Sequence, residues 1–171
     1  MLETIDRLIS YFCITIMTIG MSVATLVAFV NVVLRYLFNT SLPWAGALTS
    51  YLFIWSALFG AAYGFRTGIH IGVTVLVQNL KPKWAKVFTL FTTLIVFIFL
   101  ICFTKWAVEF IIFSIKLKQI DIDLRIPFWI IYLCVPLSLA IASYQVFLKL
   151  IKIIKTPAQN FNYNQIMSTS D

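Results

Sequence analysis

The chain contains 171 residues, of which 61% are hydrophobic and 11% are charged, and its formal net charge is +7. About a quarter of the residues of a soluble domain are charged, so this composition excludes an ordinary soluble domain and indicates an integral membrane protein. The basic residues flank apolar segments and form no basic face. They are therefore interpreted as topology signals and anchors to membrane lipids, and no nucleic acid partner is expected.

Four charge-free stretches divide the sequence. They lie between Arg7 and Arg35, between Arg35 and Arg66, between Lys86 and Lys105, and between Arg125 and Lys149. Each approaches or exceeds the roughly 20 residues that a helix needs to cross the hydrocarbon core. The predicted fold is an all-α integral membrane protein with four long, tilted transmembrane helices in a single domain, residues 1–155, followed by a flexible cytoplasmic tail, residues 156–171. The helices are predicted at about residues 8–36, 44–66, 84–115 and 128–150.

The first predicted helix is longer than the hydrocarbon core is thick, so it must tilt or protrude. Gly20, Ala24 and Ala28 recur at intervals of four and place small residues on one helix face. Arg35 stands at the end of this helix, where its guanidinium can reach the headgroups, so an interfacial anchor is preferred to a substrate-binding arginine. Turn residues and a proline then predict a second helix that begins near Trp44.

Four glycines at a spacing of four follow in the second half of this helix. They are Gly60, Gly64, Gly68 and Gly72. On an α-helix this spacing gives a face without side chains, which another helix can approach closely. The first pair is interpreted as a helix-packing face. The second pair fits either the same face or a turn, because a helix that ends near Arg66 would leave these glycines outside it.

A short amphipathic pattern covers residues 69–80. His70, Thr74 and Gln78 recur at intervals of four opposite apolar residues, which predicts an interfacial amphipathic helix. The alternation also suits a strand, but an isolated strand in a membrane would leave its backbone groups unpaired. His70 is the only histidine, and a surface hydrogen-bonding role is preferred to a ligand or proton relay.

The second half of the chain offers few residues for chemistry. Lys105 and Glu109 in the third predicted helix are spaced to form an ion pair, with a proton-coupling Glu109 as the alternative. Asp121 and Asp123 lie in the polar stretch before the fourth helix without an accompanying histidine, cysteine or glycine-rich loop, which favours a solvated loop. Pro136 predicts a kink in the fourth helix.

The three cysteines lie inside apolar segments at no metal-ligand spacing. The sequence therefore predicts no catalytic, cofactor-binding or metal-binding residues, no cofactor and no enzymatic activity. Basic residues are more numerous at the helix ends that adjoin the two termini than at the opposite ends. Because cytoplasmic loops are enriched in Lys and Arg, both termini are predicted to be cytoplasmic, and the loop around Asp121 is predicted to face the exterior.

A set of motifs spread over the chain carries a family resemblance. They are Asn31-Val-Val-Leu-Arg35-Tyr36-Leu-Phe38-Asn39-Thr-Ser41-Leu42-Pro43-Trp44, Tyr51-Leu-Phe-Ile-Trp55, Gly60-Ala-Ala-Tyr-Gly-Phe-Arg66-Thr-Gly68-Ile-His70-Ile, and Ile126-Pro127-Phe-Trp129 with Tyr132 and Pro136. Together they resemble the small membrane subunit of tripartite ATP-independent periplasmic (TRAP) transporters. Gly46 and Ala47 depart from the pattern, since the family usually has an acidic pair there, and the polar contact of that pair is not carried over.

The resemblance implies a non-catalytic subunit of the bacterial inner membrane. It would scaffold a large, elevator-type membrane subunit that performs sodium-coupled uptake of a carboxylate substrate, of the sialic acid or C4-dicarboxylate class. A periplasmic substrate-binding protein would deliver that substrate. On this basis the subunit-interface candidates are Gly60, Gly64, Gly68, Arg35, Trp44, Trp55, Arg66 and His70. The candidates for docking the binding protein are Lys116, Lys118, Asp121, Asp123 and Arg125.

Two other functions fit an apolar four-helix chain. A membrane anchor of a respiratory enzyme is one, although anchors that hold a b-type haem generally use two histidines and this chain has one. A small self-assembling exporter is the other, and it would centre on Glu109. Both predict a function that this chain performs without a large transport subunit.

Overall fold

The computed structural model describes residues 2–67 and 82–156. The described part is helical apart from connecting turns and an isolated bridge between Ile120 and Pro127. Five helices follow one another within these ranges. They are α1 (Leu2–Leu37), α2 (Pro43–Thr67), α3 (Pro82–Leu117), α4 (Phe128–Tyr132) and α5 (Cys134–Lys155). The predicted interfacial helix, with Gly68 and His70, lies outside the described residues, as does the predicted tail after residue 156.

In the described part of the chain, four helical segments are long and apolar enough to cross a membrane. They are Asp6–Leu37, Pro43–Thr67, Lys83–Leu117 and Phe128–Lys155, the last formed by α4 and α5 together. This confirms the predicted all-α membrane fold. The first segment is extended by a helix that begins at Leu2, because backbone hydrogen bonding continues through the charged residues that flank the apolar stretch.

The fourth crossing is interrupted at Leu133, three residues before Pro136. Proline has no N–H group, so the carbonyl of Tyr132, four residues earlier, loses its helical donor at this point. The N–H of Leu133 instead donates to the carbonyl oxygen of Ile130 at 3.4 Å, which closes α4 with a tight turn. The local break and the predicted kink therefore have the same cause.

The helices pack in the order α1, α2, α5, α3, which differs from their order in the sequence. Two buried clusters explain this order. One joins Cys13 of α1, Phe59 of α2 and Cys134 of α5. The other joins Ala62 of α2, Leu100 of α3, and Ala142 and Val146 of α5. Helices α2 and α5 contribute to both clusters, so they form the centre of the layer, and α1 and α3 form its edges.

The edge helices expose large apolar side chains along the membrane-crossing segments. Phe29 of α1 is 67% exposed, and Phe91 and Trp106 of α3 are 61% and 60% exposed. Several α3 threonines donate their hydroxyl hydrogens to the carbonyl four residues earlier, as Thr92 does to Phe88 at 2.9 Å. Since these bonds satisfy the hydroxyls within the helix, the outer faces remain compatible with lipid or with an apolar protein surface.

Candidate partner interfaces

A carboxylate joins three helices at the end of the layer where α1 begins. Asp6 Oδ2 accepts a hydrogen bond from Arg66 Nε of α2 at 3.1 Å, and Asp6 Oδ1 accepts one from Gln145 Nε2 of α5 at 2.7 Å. The side chains of Asp6 and Arg66 are 15% and 19% exposed. Charge-assisted hydrogen bonds are stronger than neutral ones, and these two are largely shielded from solvent. Arg66, predicted at the subunit interface, therefore bonds within its own chain.

A second carboxylate organises the loop at the opposite end. Asp121 is 7% exposed, and its Oδ2 accepts a hydrogen bond from Tyr51 Oη of α2 at 2.5 Å. Its Oδ1 accepts hydrogen bonds from the backbone N–H groups of Asp123 at 3.0 Å and Leu124 at 2.8 Å. The bonds from Tyr51 and from the Leu124 and Asp123 backbone favour the charged carboxylate and lower the pKa of Asp121 below its ordinary value of 3.8.

The other charged residues predicted for docking lie around this organised loop. Lys116, Lys118, Asp123 and Arg125 are all exposed. Lys118 and Arg125 have positive φ angles of 48° and 55°, so the backbone turns sharply at both ends of the loop. The structure thus separates the predicted set into four surface charges and one internal anchor, Asp121.

The predicted glycine face has two different environments. A Cβ atom added to Gly60 would lie 2.9 Å from Met17 Sδ of α1, so Gly60 allows α1 to approach α2. A Cβ atom added to Gly64 would meet no atom of the described residues within 4 Å. Gly60 therefore serves packing inside the chain, and Gly64 leaves an open place on α2.

The remaining interface candidates lie near the opposite end. Arg35 and Trp44 are exposed at the connection between α1 and α2. Trp55 is half-buried, and its Nε1 donates a hydrogen bond to the carbonyl oxygen of Ile131 at 2.8 Å. Arg35 and Trp44 are thus available to lipid or to a partner, whereas Trp55 fixes α4 against α2.

Two internal contacts were not predicted from the sequence. A Cβ atom added to Gly20 would lie 2.5 Å from Ser56 Oγ, which makes Gly20 the tightest of the four described glycines. The backbone N–H of Leu42 donates to Asn31 Oδ1 at 3.0 Å and ties the connection back to α1. The spacing of Gly20 and Ala24 indicated a small-residue face, but no sequence signal showed that Ser56 would face it.

Within residues 2–67 and 82–156, no group of three or more His, Cys, Asp or Glu side chains is arranged to hold a metal ion. Both carboxylate clusters have their oxygens occupied by protein donors, and they join elements of the fold. Among the described residues, the exposed features include apolar helix faces, the open place beside Gly64, the Lys105–Glu109 ion pair of α3, and the charges in and beside the 118–127 loop between α3 and α4. These are properties of surfaces that contact other molecules.

Comparison with known proteins gives the chain a family. The family profile described as "Tripartite ATP-independent periplasmic transporters, DctQ component" matches residues 24–156. The C4-dicarboxylate TRAP transporter small permease protein DctQ of Rhodobacter capsulatus is 32% identical over 105 residues, which cover 61% of this chain and 46% of that protein. A putative TRAP transporter small permease protein of Haemophilus influenzae is 38% identical over 78 residues, which cover 46% of each chain.

A longer alignment connects the chain with the ectoine TRAP transporter small permease protein TeaB of Halomonas elongata. The two are 28% identical over 155 residues, which cover 88% of this chain and 78% of TeaB. The matched part of the chain spans less than half of the length of the Rhodobacter and Haemophilus relatives. The family profile nevertheless covers three of the four membrane crossings completely and the C-terminal part of the first, from residue 24 onward. The chain belongs to the DctQ family and is a small permease subunit of the TRAP transporter type.

Proposed function

We propose that this multi-pass subunit is the stationary scaffold of a three-part uptake system. In this proposal a large membrane subunit carries the substrate by an elevator motion, and this chain packs beside it. The observation that carries the proposal is the division of the layer into an internally bonded centre and two long apolar edges. A part that must stay fixed while its neighbour slides benefits from rigid internal bonds and from a large surface that sets its depth in the bilayer.

The open place beside Gly64 supports a position for the partner. Gly64 lies on α2, whereas Gly60 is already occupied by the approach of Met17. Because a glycine on a membrane helix permits close backbone contact, a helix of the large subunit fits against this side of α2. Gly68 and His70, which lie outside the described residues, would extend the same surface, and Arg35 and Trp44 would contact the partner or the headgroups beside it.

The charged loop supports a docking place for a soluble protein. Lys116, Lys118, Asp123 and Arg125 are exposed around a loop whose shape Asp121 fixes from inside. We assign these charges to the capture of a periplasmic substrate-binding protein, because surface charges on a fixed frame steer association without requiring a large interface. This assignment includes the proposed orientation, with both termini in the cytoplasm and the loop on the periplasmic side of the bacterial inner membrane.

We further propose a carboxylate substrate, of the C4-dicarboxylate or sialic acid class, and sodium coupling. The Rhodobacter relative is named for C4-dicarboxylates and the Halomonas relative for ectoine, so small permeases similar to this chain serve different solutes. The substrate would be bound by the other two components, and this chain would not determine it.

Affinity purification in mild detergent tests the scaffold proposal. The tagged chain, expressed from its native chromosome, is expected to co-purify with a larger multi-pass transport subunit. In liposomes, the chain alone is expected to support no solute accumulation, and the two membrane subunits with a binding protein are expected to support it. Accumulation by the isolated chain would overturn the scaffold function, and a haem absorption spectrum of the purified protein would instead indicate a respiratory anchor.

A further inference from the structure

The loop between α3 and α4 presents isoleucines where a solvated loop would present polar residues. Ile122 at its tip is 91% exposed, and Ile120 and Ile126 are 58% and 36% exposed. The conformation of the loop is held by hydrogen bonds, because Asp121 bonds to Tyr51 of α2 and to the N–H groups of Asp123 and Leu124. The exposure of the isoleucines is therefore a property of an ordered loop. A rigid loop that projects an apolar tip indicates contact with an apolar environment.

The attachment of the loop sets its depth in the bilayer. Tyr51 lies eight residues after the start of α2 at Pro43, which is about 12 Å along the helix axis. The 25 residues of α2 extend for about 37 Å, against a hydrocarbon core of about 30 Å. The hydroxyl that holds Asp121 therefore belongs to a residue more than two turns inside the crossing helix. The hydrogen bond from Trp55 to Ile131, one turn further along α2, shows that α4 continues beside α2 toward the middle of the crossing.

The loop backbone is suited to a place with little water. The N–H groups of Asp123 and Leu124 donate to Asp121 Oδ1, and the N–H of Asp121 donates to the carbonyl of Ile126 at 2.9 Å. The N–H of Arg125 donates to the carbonyl of Asp121 at 3.0 Å. Irregular backbone at membrane depth must satisfy its polar groups internally, and this loop does so for most of its central N–H groups.

We propose that the 118–127 loop is an interfacial anchor, in which Ile120 and Ile122 insert into the lipid of the adjacent leaflet. The neighbouring cationic side chains, Lys118 and Arg125, are exposed on either side of the loop tip and suit the phosphates of anionic headgroups. Insertion would fix the position of the α3–α4 connection along the bilayer normal. The loop would then stay at the membrane surface. The proposal concerns the isoleucines, and it stands whether or not the charged residues also receive a binding protein.

Site-directed spin labelling of the full chain in liposomes tests this insertion. The liposomes contain phosphatidylethanolamine and phosphatidylglycerol, and the background is Cys102→Ser, which removes the exposed cysteine while Cys13 and Cys134 stay buried. One variant carries a label at Ile122→Cys and the matched control carries it at Asp123→Cys, the next residue. Collisions with oxygen, which concentrates in lipid, are compared with collisions with a water-soluble nickel complex.

The label at position 122 is expected to give an oxygen-to-nickel collision ratio severalfold higher than the label at position 123. Equal ratios, with both labels open to the nickel complex, would overturn the proposal. A label at 122 that is immobilised and shielded from both reagents would also overturn it, because a protein surface would then cover the tip. A label at Ile120→Cys gives an independent reading, with the same ordering expected, if the label at the tip disturbs the loop.

Discussion

Two carboxylates, Asp6 and Asp121, each join separate elements of this membrane protein through side-chain hydrogen bonds. Each lies outside the middle of the apolar crossings, near one end of the helical layer, and each accepts hydrogen bonds through both oxygens. Protein donors at both oxygens of each carboxylate offset the high cost of an ionised group near the hydrocarbon core. The Asp6 and Asp121 bonds therefore join α2 to α1, to α5 and to the loop before α4, and apolar packing supplies the rest of the contact.

The first prediction concerns Asp6. Replacement by alanine leaves Arg66 and Gln145 without their common acceptor while both remain largely covered, so Asp6→Ala is expected to reduce the free energy of unfolding by about 1–3 kcal/mol. Thermal unfolding in detergent measures the change. The control is Arg7→Ala at the exposed neighbouring residue, which is expected to change little. Equal effects of the two variants would show that the Asp6 bonds do not hold the helices.

The second prediction uses the lowered pKa of Asp121. A carboxyl group whose pKa is lower in the folded state stabilises the fold fully above its unfolded pKa of about 3.8, and this contribution is lost as the pH falls through the lower folded pKa. The unfolding temperature of Asp121→Asn is therefore expected to lie below that of the unchanged protein at neutral pH. The gap between them is expected to remain constant down to about pH 5 and to narrow only in stronger acid.

Tyr51→Phe serves as the partner variant, since it removes the hydroxyl that donates to Asp121 and keeps the ring. Tyr51→Phe is expected to unfold at a lower temperature than the unchanged protein at neutral pH. The difference between the two unfolding temperatures is expected to become smaller in strong acid, as for Asp121→Asn. A gap that changed between neutral pH and pH 5 would assign the effect to another titrating group. An unchanged unfolding temperature in Tyr51→Phe would show that this hydrogen bond does not stabilise the loop.

At the scale of the elements, the contact between α1 and α2 depends on small residues that are not equivalent. Gly20 of α1 faces Ser56 of α2 at a distance that excludes a Cβ atom, whereas Gly60 faces the flexible end of Met17. A Cβ atom at Gly64 meets no atom of the described residues within 4 Å. The three glycines therefore differ: Gly20 allows the closest approach, Gly60 faces an adaptable side chain, and Gly64 makes no such contact in the described part of the chain.

The third prediction compares alanine at two glycines. Gly20→Ala places its Cβ 2.5 Å from Ser56 Oγ, so either the Ser56 hydroxyl leaves its hydrogen bond to Leu52 or α1 moves away from α2, and the variant is expected to destabilise the protein by about 1–3 kcal/mol. Gly46→Ala meets nothing within 4 Å and is expected to be neutral or to stabilise α2 by up to about 1 kcal/mol through helix propensity. Unfolding in detergent compares the two. A more stable Gly20→Ala variant would contradict the close approach.

The fourth prediction separates packing inside the chain from packing against a partner. Gly64→Leu is expected to leave the unfolding temperature of the isolated chain nearly unchanged, because its side chain enters open space. Co-purification with the large subunit is expected to fall strongly, since the leucine blocks the close approach of a helix. Gly46→Leu, which also has open surroundings, is the matched control and is expected to retain the partner. Full recovery of the complex with Gly64→Leu would remove this face from the proposed interface.

At the scale of the whole molecule, the layer places its two kinds of surface in different locations. The edges along α1 and α3 are mainly apolar, although α3 also exposes the Lys105–Glu109 ion pair, and the exposed charges of the α3–α4 connection lie at one end. A membrane partner and a soluble partner would therefore meet this subunit at separate places. Binding of one need not displace the other, as a three-part transporter requires.

The fifth prediction concerns that charged end. Reversal of Lys116 and Lys118 to glutamate is expected to slow uptake by the complete transporter several-fold at low ionic strength and less at high ionic strength, since salt screens exposed charges. Asp123→Lys probes the opposite sign on the same loop. Uptake is measured in liposomes with a fixed amount of binding protein. Activity that is independent of both the substitutions and the salt would remove the loop from the docking surface.

The sequence by itself determined the helical membrane fold, because continuous apolar stretches of about 20 residues satisfy their backbone groups in lipid by forming helices. It also carried the family pattern and the break near Pro136. It could not determine the lateral order α1, α2, α5, α3, since a helix with apolar residues on all sides contains little information about its neighbours. The pairing of Asp6 with Gln145, 139 positions apart, and the contrast between Gly20 and Gly64 arise only when the helices are placed side by side.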